Sequence, residues 1–267
     1  MKKLTIALLL FTLSALTSWA GDFQKGVSAH ESGDYTTAFK EFAALAEQGK
    51  ADAQYYLGLM YSWGHGVPLD DKQAVKWYRK AAEQGDAEAQ SKLGYMYRLG
   101  YGVPQDYKQA VKWYRKAAEQ GDAEAQFSLA LRYDKGQGVP QDVKQAVKWY
   151  RKAAEQGYAA AQFSLALMYD NGRGVPQDYK QAVKWYTKAA EQGKAIAQFY
   201  LAFIYDNGQG VLQDNVYAHM WFNLAAANGI EPASKHRDII AKRMTTADIS
   251  KAQSLARECL KKNYKGC

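Results

Sequence analysis

Cysteine is nearly absent. The chain of 267 residues has two, Cys259 and Cys267, both at its extreme C-terminus. That excludes a disulfide framework and any Cys-x-x-Cys redox or zinc motif. In an oxidising compartment the pair is expected to form one local disulfide; two free thiols or an intermolecular link are the other options. Closing so short a loop constrains the unfolded chain by about 2–3 kcal/mol, which pins a tail and does not hold a fold together. Catalytic signatures are missing too. There is no Gly-x-Ser-x-Gly, no Ser followed three residues later by Lys and no His-Glu-x-x-His. The four histidines, His30, His65, His219 and His236, share no spacing, with His65 in a loop and His219 in place of a valine. No catalytic residue, metal site or cofactor is expected.

Long apolar runs are also scarce. The run that comes nearest is Leu4-Thr-Ile-Ala-Leu-Leu-Leu-Phe-Thr-Leu13, behind the basic Lys2 and Lys3 and ahead of Ser18-Trp-Ala20. A basic start, a short apolar run and small residues at the minus-three and minus-one positions make residues 1–20 an expected signal peptide, against the alternative of a buried N-terminal helix. No other stretch approaches the roughly 20 apolar residues of a membrane span, so the mature chain should not insert into a membrane. The formal charge is +8, and +6 once Lys2 and Lys3 are removed. An exported chain rarely meets nucleic acid, so none is expected as partner. The expected location is the periplasm, or the cell exterior.

What the sequence has in quantity is repetition. Gln-Ala-Val-Lys-Trp-Tyr-Arg-Lys-Ala-Ala-Glu-Gln-Gly stands identically at residues 73–85, 109–121 and 145–157, and with Thr187 for Arg at 181–193. Copies start 36 residues apart, the signature of one supersecondary unit stacked several times. At 100° per residue Ala74, Val75, Trp77, Tyr78, Ala81 and Ala82 share one face and Lys72, Gln73, Lys76, Arg79, Lys80 and Glu83 the other. One hairpin cannot bury that apolar side, whereas stacked neighbours can. Ahead of each copy lies a second helix, carrying Ala53, Gln54, Leu57, Gly58 and Tyr61 in the first unit. The loop that follows contains Gly64, Gly66 and Pro68, with Asp70 or Asp71 to cap the next helix.

The full pattern is Ala-x-x-x-Leu-Gly-x-x-Tyr-x-x-Gly-x-Gly-Val-x-x-Asp-x-x-x-Ala-x-x-Trp-Tyr-x-x-Ala-Ala-x-x-Gly. It resembles the Sel1-like repeat family, which is similar to the tetratricopeptide repeats but has a longer loop in each hairpin. The resemblance implies an all-α fold, an α/α superhelical solenoid that binds proteins or peptides. Five repeats are expected at 51–85, 87–121, 123–157, 159–193 and 195–229. A shorter-turned hairpin, closer to an ordinary tetratricopeptide unit, is expected at 21–49 and capping helices at 231–267. The expected cap has a cause: Val216, Met220, Asn223 and Leu224 stand where Lys72, Lys76, Arg79 and Lys80 stand in the first unit. An apolar face there needs a cover, expected from a helix over 232–243 and a last one capped by Thr245 or Thr246 and carrying Ile249, Ala252, Ala256 and Cys259.

Two surfaces could carry function. Lys76, Arg79, Lys112, Arg115, Lys148, Arg151 and Lys184 form a basic ladder on the second helices, either a site for an anionic partner or a plain solvated face. On the first helices Tyr55, Leu59, Tyr95, Phe127, Leu131, Phe163, Leu167, Phe199 and Phe203 are either partner contacts or packing between successive repeats. By the resemblance, first helices line the concave groove of the superhelix. The expected function is a non-enzymatic, monomeric scaffold of the bacterial cell envelope binding a protein or peptide. A cell-envelope hydrolase or β-lactam-binding protein of the cysteine-rich branch of the family is a competing class, although that branch carries a cysteine pair in each repeat and this chain has none there. A secreted factor engaging host proteins differs from the first reading only in location.

Overall fold

A computed structural model describes residues 22–267; the expected signal peptide, 1–20, lies outside the described residues. Fourteen helices and no strand are present among these. The chain divides into two compact units, the first ending at Ala125 and the second running from Gln126 to Cys267. The first contains α1 (residues 22–31), α2 (Tyr35–Glu47), α3 (Ala51–Trp63), α4 (Asp71–Glu83), α5 (Ala87–Leu99) and α6 (Tyr107–Glu119). After α7 (Ala123–Lys135), which starts at the boundary, come α8 (Val143–Glu155), α9 (Ala159–Asn171), α10 (Tyr179–Ala190), α11 (Ala195–Asn207) and α12 (Asn215–Ala227). The chain ends with α13 (Glu231–Ala241) and α14 (Thr246–Lys261). Sequential helices pair into hairpins, α3 with α4 and α9 with α10 for example, and α4 packs on α5 as α10 does on α11.

The apolar face read from the repeated stretch is the face that is buried. Ala74, Val75, Trp77, Tyr78, Ala81 and Ala82 are all at most 5% exposed, and α6 and α8 bury the same six positions. One large ring per hairpin, Phe42, Tyr78 and Tyr114 in the first unit and Tyr150, Tyr186 and Phe222 in the second, is sealed in the core. Asp70 is the N-cap of α4, its carboxylate accepting from Gln73 N at 3.0 Å, and Asp106, Asp142, Asp178 and Asp214 do the same for their helices. Acidic residues that recur ahead of the first helices are also caps: Asp86 accepts from Ala89 N at 2.6 Å and Asp122 from Ala125 N at 2.5 Å.

A glutamine relay ties neighbouring hairpins together inside each unit. Buried Gln54 donates Nε2 to the Ala46 carbonyl of the preceding helix (3.1 Å) and accepts from Gln84 Nε2 (2.7 Å). Gln90 repeats this with Ala82 O and Gln120, and Gln120 Nε2 also donates to Gly85 O at 2.9 Å. In the second unit Gln162 bonds Ala154 O and Gln192, and Gln198 bonds Ala190 O and Asn228. Each buried glutamine thereby adds a second bond to a helix-end carbonyl that also accepts from the glycine N–H just past the helix.

At the C-terminus Met220 and Leu224 are fully buried and Val216 half-buried, with α13 and α14 both packed on α12. Thr245 and Asp248 form a capping box at the start of α14, which buries Ala252, Ala256 and Cys259. Cys259 lies 3.9 Å from Met220 Sδ and is joined to Cys267 in a disulfide, Cα–Cα 5.5 Å. The tail thus held folds back so that Tyr264 donates to Asn228 Oδ1 (2.9 Å) and Gly266 N to Glu191 (3.2 Å), and the relay ends on a phenol.

Candidate partner-binding pocket

The two surfaces read from the sequence are placed as follows. On the basic ladder Lys76, Lys112, Lys148, Arg151 and Lys184 are exposed and Arg79 and Arg115 half-buried. These side chains also serve the scaffold. Lys76, Lys112 and Lys184 hold their ammonium 5.4–5.7 Å from the ring centre of the tryptophan in the same helix, and the neighbouring Lys80, Lys116, Lys152 and Lys188 hold theirs at 4.0–5.1 Å. Arg79 donates to the Tyr97 hydroxyl at 2.8 Å and Arg151 to Tyr169 at 2.7 Å.

On the first helices most of the expected contacts turn inward. Leu59, at 6% exposure, belongs to the core with Val75, Tyr78 and Met96, so it offers a partner almost nothing. Tyr55 is half-buried against Tyr78, with ring centres 6.0 Å apart. Phe127 packs on Tyr150 and Tyr158, and Phe163 on Tyr186 and Tyr200, at 5.3–5.8 Å. Phe199 and Phe203 close around Phe222 and His236 at 4.7–5.8 Å. Leu131 and Leu167 are half-buried. Of the nine, Tyr95 alone is exposed.

Tyr95 opens onto a pocket of 520 Å³ in the first unit. Its floor is Leu59, Tyr78 and Met96. Its rim carries four large apolar side chains that face solvent: Trp63 (54% exposed), Leu69 (64%), Tyr95 (38%) and Tyr101 (46%). Trp63 ends α3 and Leu69 precedes the cap of α4, while Tyr95 lies on α5 and Tyr101 follows the left-handed Gly100 at its C-terminus. Tyr95 and Tyr101 meet edge to face at 6.2 Å, Arg98 lies over Tyr95 at 4.9 Å, and an ion pair from Lys92 to Glu124 (3.3 Å) adds a polar edge. Asp71, Lys92 and Glu124 put charge at the edge of the lining, and the rigid rings and preformed hollow inside it are what a protein anchor residue requires.

Sequence reasoning missed Trp63, Leu69 and Tyr101, although a signal was there. Trp63 stands where later repeats have Leu99, Lys135, Asn171 and Asn207, and Tyr101 where they have Gln137, Arg173 and Gln209. At the position of Leu69 the other four repeats carry a glutamine whose Nε2 caps the end of the first helix: Gln105 on Arg98 O, Gln141 on Asp134 O, Gln177 on Asp170 O and Gln213 on Asp206 O, at 2.6–2.8 Å. Leucine forfeits that bond and stays exposed. A local rule is broken with no gain in packing, as happens where function overrides stability.

Beside the rim, His65 Nδ1 lies 3.3 Å from His30 Nε2 and stacks on Tyr35 at 4.1 Å, with Trp63 5.4 Å away. Burial first and His65 second hold His30 below its ordinary value of 6.5, against a smaller upward pull from Glu31. The folded hairpin therefore resists a proton that the unfolded chain accepts. Stability is complete above the unfolded value and is lost as the pH falls through it towards the folded one. Protection of the amides in α1 and α2, meaning exchange relative to the intrinsic rate, should fall as the pH drops below the ordinary histidine value of 6.5, and His30→Gln should abolish that fall. Exchange in the wild type that follows the intrinsic trend alone would contradict the pairing.

Among the described residues no helix is long and apolar enough to cross a membrane. The Sel1 repeat family matches the chain five times, at 51–86, 87–122, 123–158, 159–194 and 195–230. Among solved structures the chain is similar to a Sel1 repeat protein from Oxalobacter formigenes, 37% identical over 79% of this chain and 87% of that one, with a TM-score of 0.74. It is similar to c5321, a protective antigen present in uropathogenic Escherichia coli strains displaying an SLR fold, at 32% identity over 95% of this chain and 71% of that one, TM-score 0.46. A likeness of fold alone extends to the immunity protein PA5088 from Pseudomonas aeruginosa, 21% identical over 78% and 83%, TM-score 0.52. No curated protein matches. Sel1 repeats generally form a non-enzymatic fold for protein–protein interaction. With paired helices throughout, an all-α solenoid architecture and five consecutive matches, the chain belongs to the Sel1 repeat family.

Proposed function

We infer that this chain is a non-enzymatic interaction scaffold of the bacterial cell envelope, exported, freed of residues 1–20 and working as a monomer in the periplasm. It binds a protein or peptide through the pocket ringed by Trp63, Leu69, Tyr95 and Tyr101. The observation that carries this reading is Leu69, an exposed leucine occupying a position where four sister repeats use glutamine to cap a helix. The rings beside it supply apolar area at low entropic cost, and burying one such side chain contributes about 1.5–3 kcal/mol.

The test exchanges each rim residue for one that the fold already accepts at the same repeat position: Trp63→Asn, Leu69→Gln and Tyr101→Gln together. The variant should melt no lower than the wild type, since the glutamine that replaces Leu69 can regain the helix-end bond, and should retain less than about a tenth of the partner in a pull-down from the periplasm. Full retention by a folded variant would remove the pocket as the site.

A further inference from the structure

The second unit has a polar cavity at its C-terminal end, where the chain departs from its own repeat. On the second helix of each earlier repeat one position is valine: Val75, Val111, Val147 and Val183. In α12 that residue is His219, and four residues later Asn223 takes the place of Arg79, Arg115, Arg151 and Thr187. Both substituted side chains line a cavity of 470 Å³ between α12 and the two helices that cover it. Arg237 and Asp238 on α13 and Gln253 and Arg257 on α14 complete its polar wall, with Ala241 and Ile249 forming an apolar side. Hydrophobic packing alone would have kept the valine.

His219 is 3% exposed, and its Nδ1 is buried with no hydrogen-bond partner. An orphaned buried ring nitrogen is costly, so the histidine is kept in the cavity wall against a packing penalty that valine would avoid. Burial first, then the nearby Arg237, holds the imidazole below its ordinary range, with Asp238 pulling the other way, so the ring is neutral and can present an N–H. Arg237 is fixed in place, donating to Asn223 Oδ1 at 3.2 Å and through Nε and NH2 to Asp238 Oδ1 at 3.0 and 2.8 Å. Arg257 is exposed on the facing helix. Two guanidiniums against one carboxylate leave one net positive charge in the wall.

We propose that this cavity binds a small organic monocarboxylate, its oxygens held by Arg237, Arg257 and the His219 N–H and its carbon skeleton against Ala241 and Ile249. Guanidinium groups match the planar carboxylate in shape as well as charge. The single net charge and the Asp238 carboxylate disfavour a dianion such as phosphate. The site is separate from the aromatic pocket of the first unit and does not depend on that reading.

Sodium benzoate is the probe, titrated into the mature chain with histidine and side-chain amide nitrogens followed by NMR. Sodium phosphate and sodium chloride of equal ionic strength are the comparison arms. Benzoate should give saturable shifts at His219, Asn223 and Gln253, while phosphate and chloride should give none. His219→Val, which restores the residue of four sister repeats, should fold and bind benzoate about tenfold or more weakly, and Arg257→Gln, altered at an exposed position, should do the same. Absence of saturable shifts, equal response to phosphate, or undiminished affinity in either variant would overturn the proposal.

Discussion

Truncation after Met244 should leave a chain that aggregates and melts without a cooperative transition. Residues 245–267 comprise α14 with its capping box, the disulfide and the folded-back tail. Their loss uncovers α12 where Met220 and Leu224 are now fully buried. Each of those side chains contributes about 1.5–3 kcal/mol by its burial. The bond from Tyr264 to Asn228 is lost as well, leaving the last amide of the glutamine relay open. An open solenoid end with apolar surface invites the next molecule to stack upon it, which is why terminal repeats need a polar outer face. Size-exclusion chromatography and thermal melting check the outcome; a monodisperse truncation with an unchanged midpoint would contradict it.

Gly102→Ala should cost about 2–5 kcal/mol in urea unfolding, whereas Gly121→Ala should cost about 1–2 kcal/mol. Both glycines have positive φ, +66° and +102°, so both substitutions strain the backbone. Their surroundings differ. A Cβ on Gly102 would overlap the carbonyl of Asp71 at the start of α4, backbone that cannot move aside, while a Cβ on Gly121 meets nothing within 4 Å. The loop glycine is thus the point where one repeat rests directly on the backbone of the repeat before it. Equal costs for the two variants would mean that this contact does not set the stacking.

The second helix of each hairpin was fully legible, because Ala74, Val75, Trp77, Tyr78, Ala81 and Ala82 obey one helical period and the same six positions recur. Asp70 and its successors were legible as caps for a similar reason, since a carboxylate ahead of a helix has one common use. The glutamine relay was not. A buried Gln54 and an exposed Gln84 look alike in sequence, and only the fold brings the two amides to 2.7 Å. Apolar residues on the first helices were ambiguous at the outset because partner contact and ring-on-ring packing select the same residue types. Phe163 between Tyr186 and Tyr200 shows packing, whereas Tyr95 opens to solvent. Both candidate sites lie where copies disagree with one another. Periodicity describes what repeats share, so Leu69 is invisible to it and His219 shows only as a valine replaced; both become informative when their sister positions are known to cap a helix or fill a core.

A protein partner seated on the aromatic rim of the first unit lies within covalent reach of a photoreactive group placed there. Benzoylphenylalanine introduced at Tyr101, and in a separate protein at the exposed Lys112 on the basic face, probes both surfaces in intact cells. A discrete covalent adduct is expected from position 101, lost when Trp63→Asn and Leu69→Gln are added, and none from position 112. An adduct from 112 with none from 101 would put the partner on the basic ladder and refute the rim as its seat.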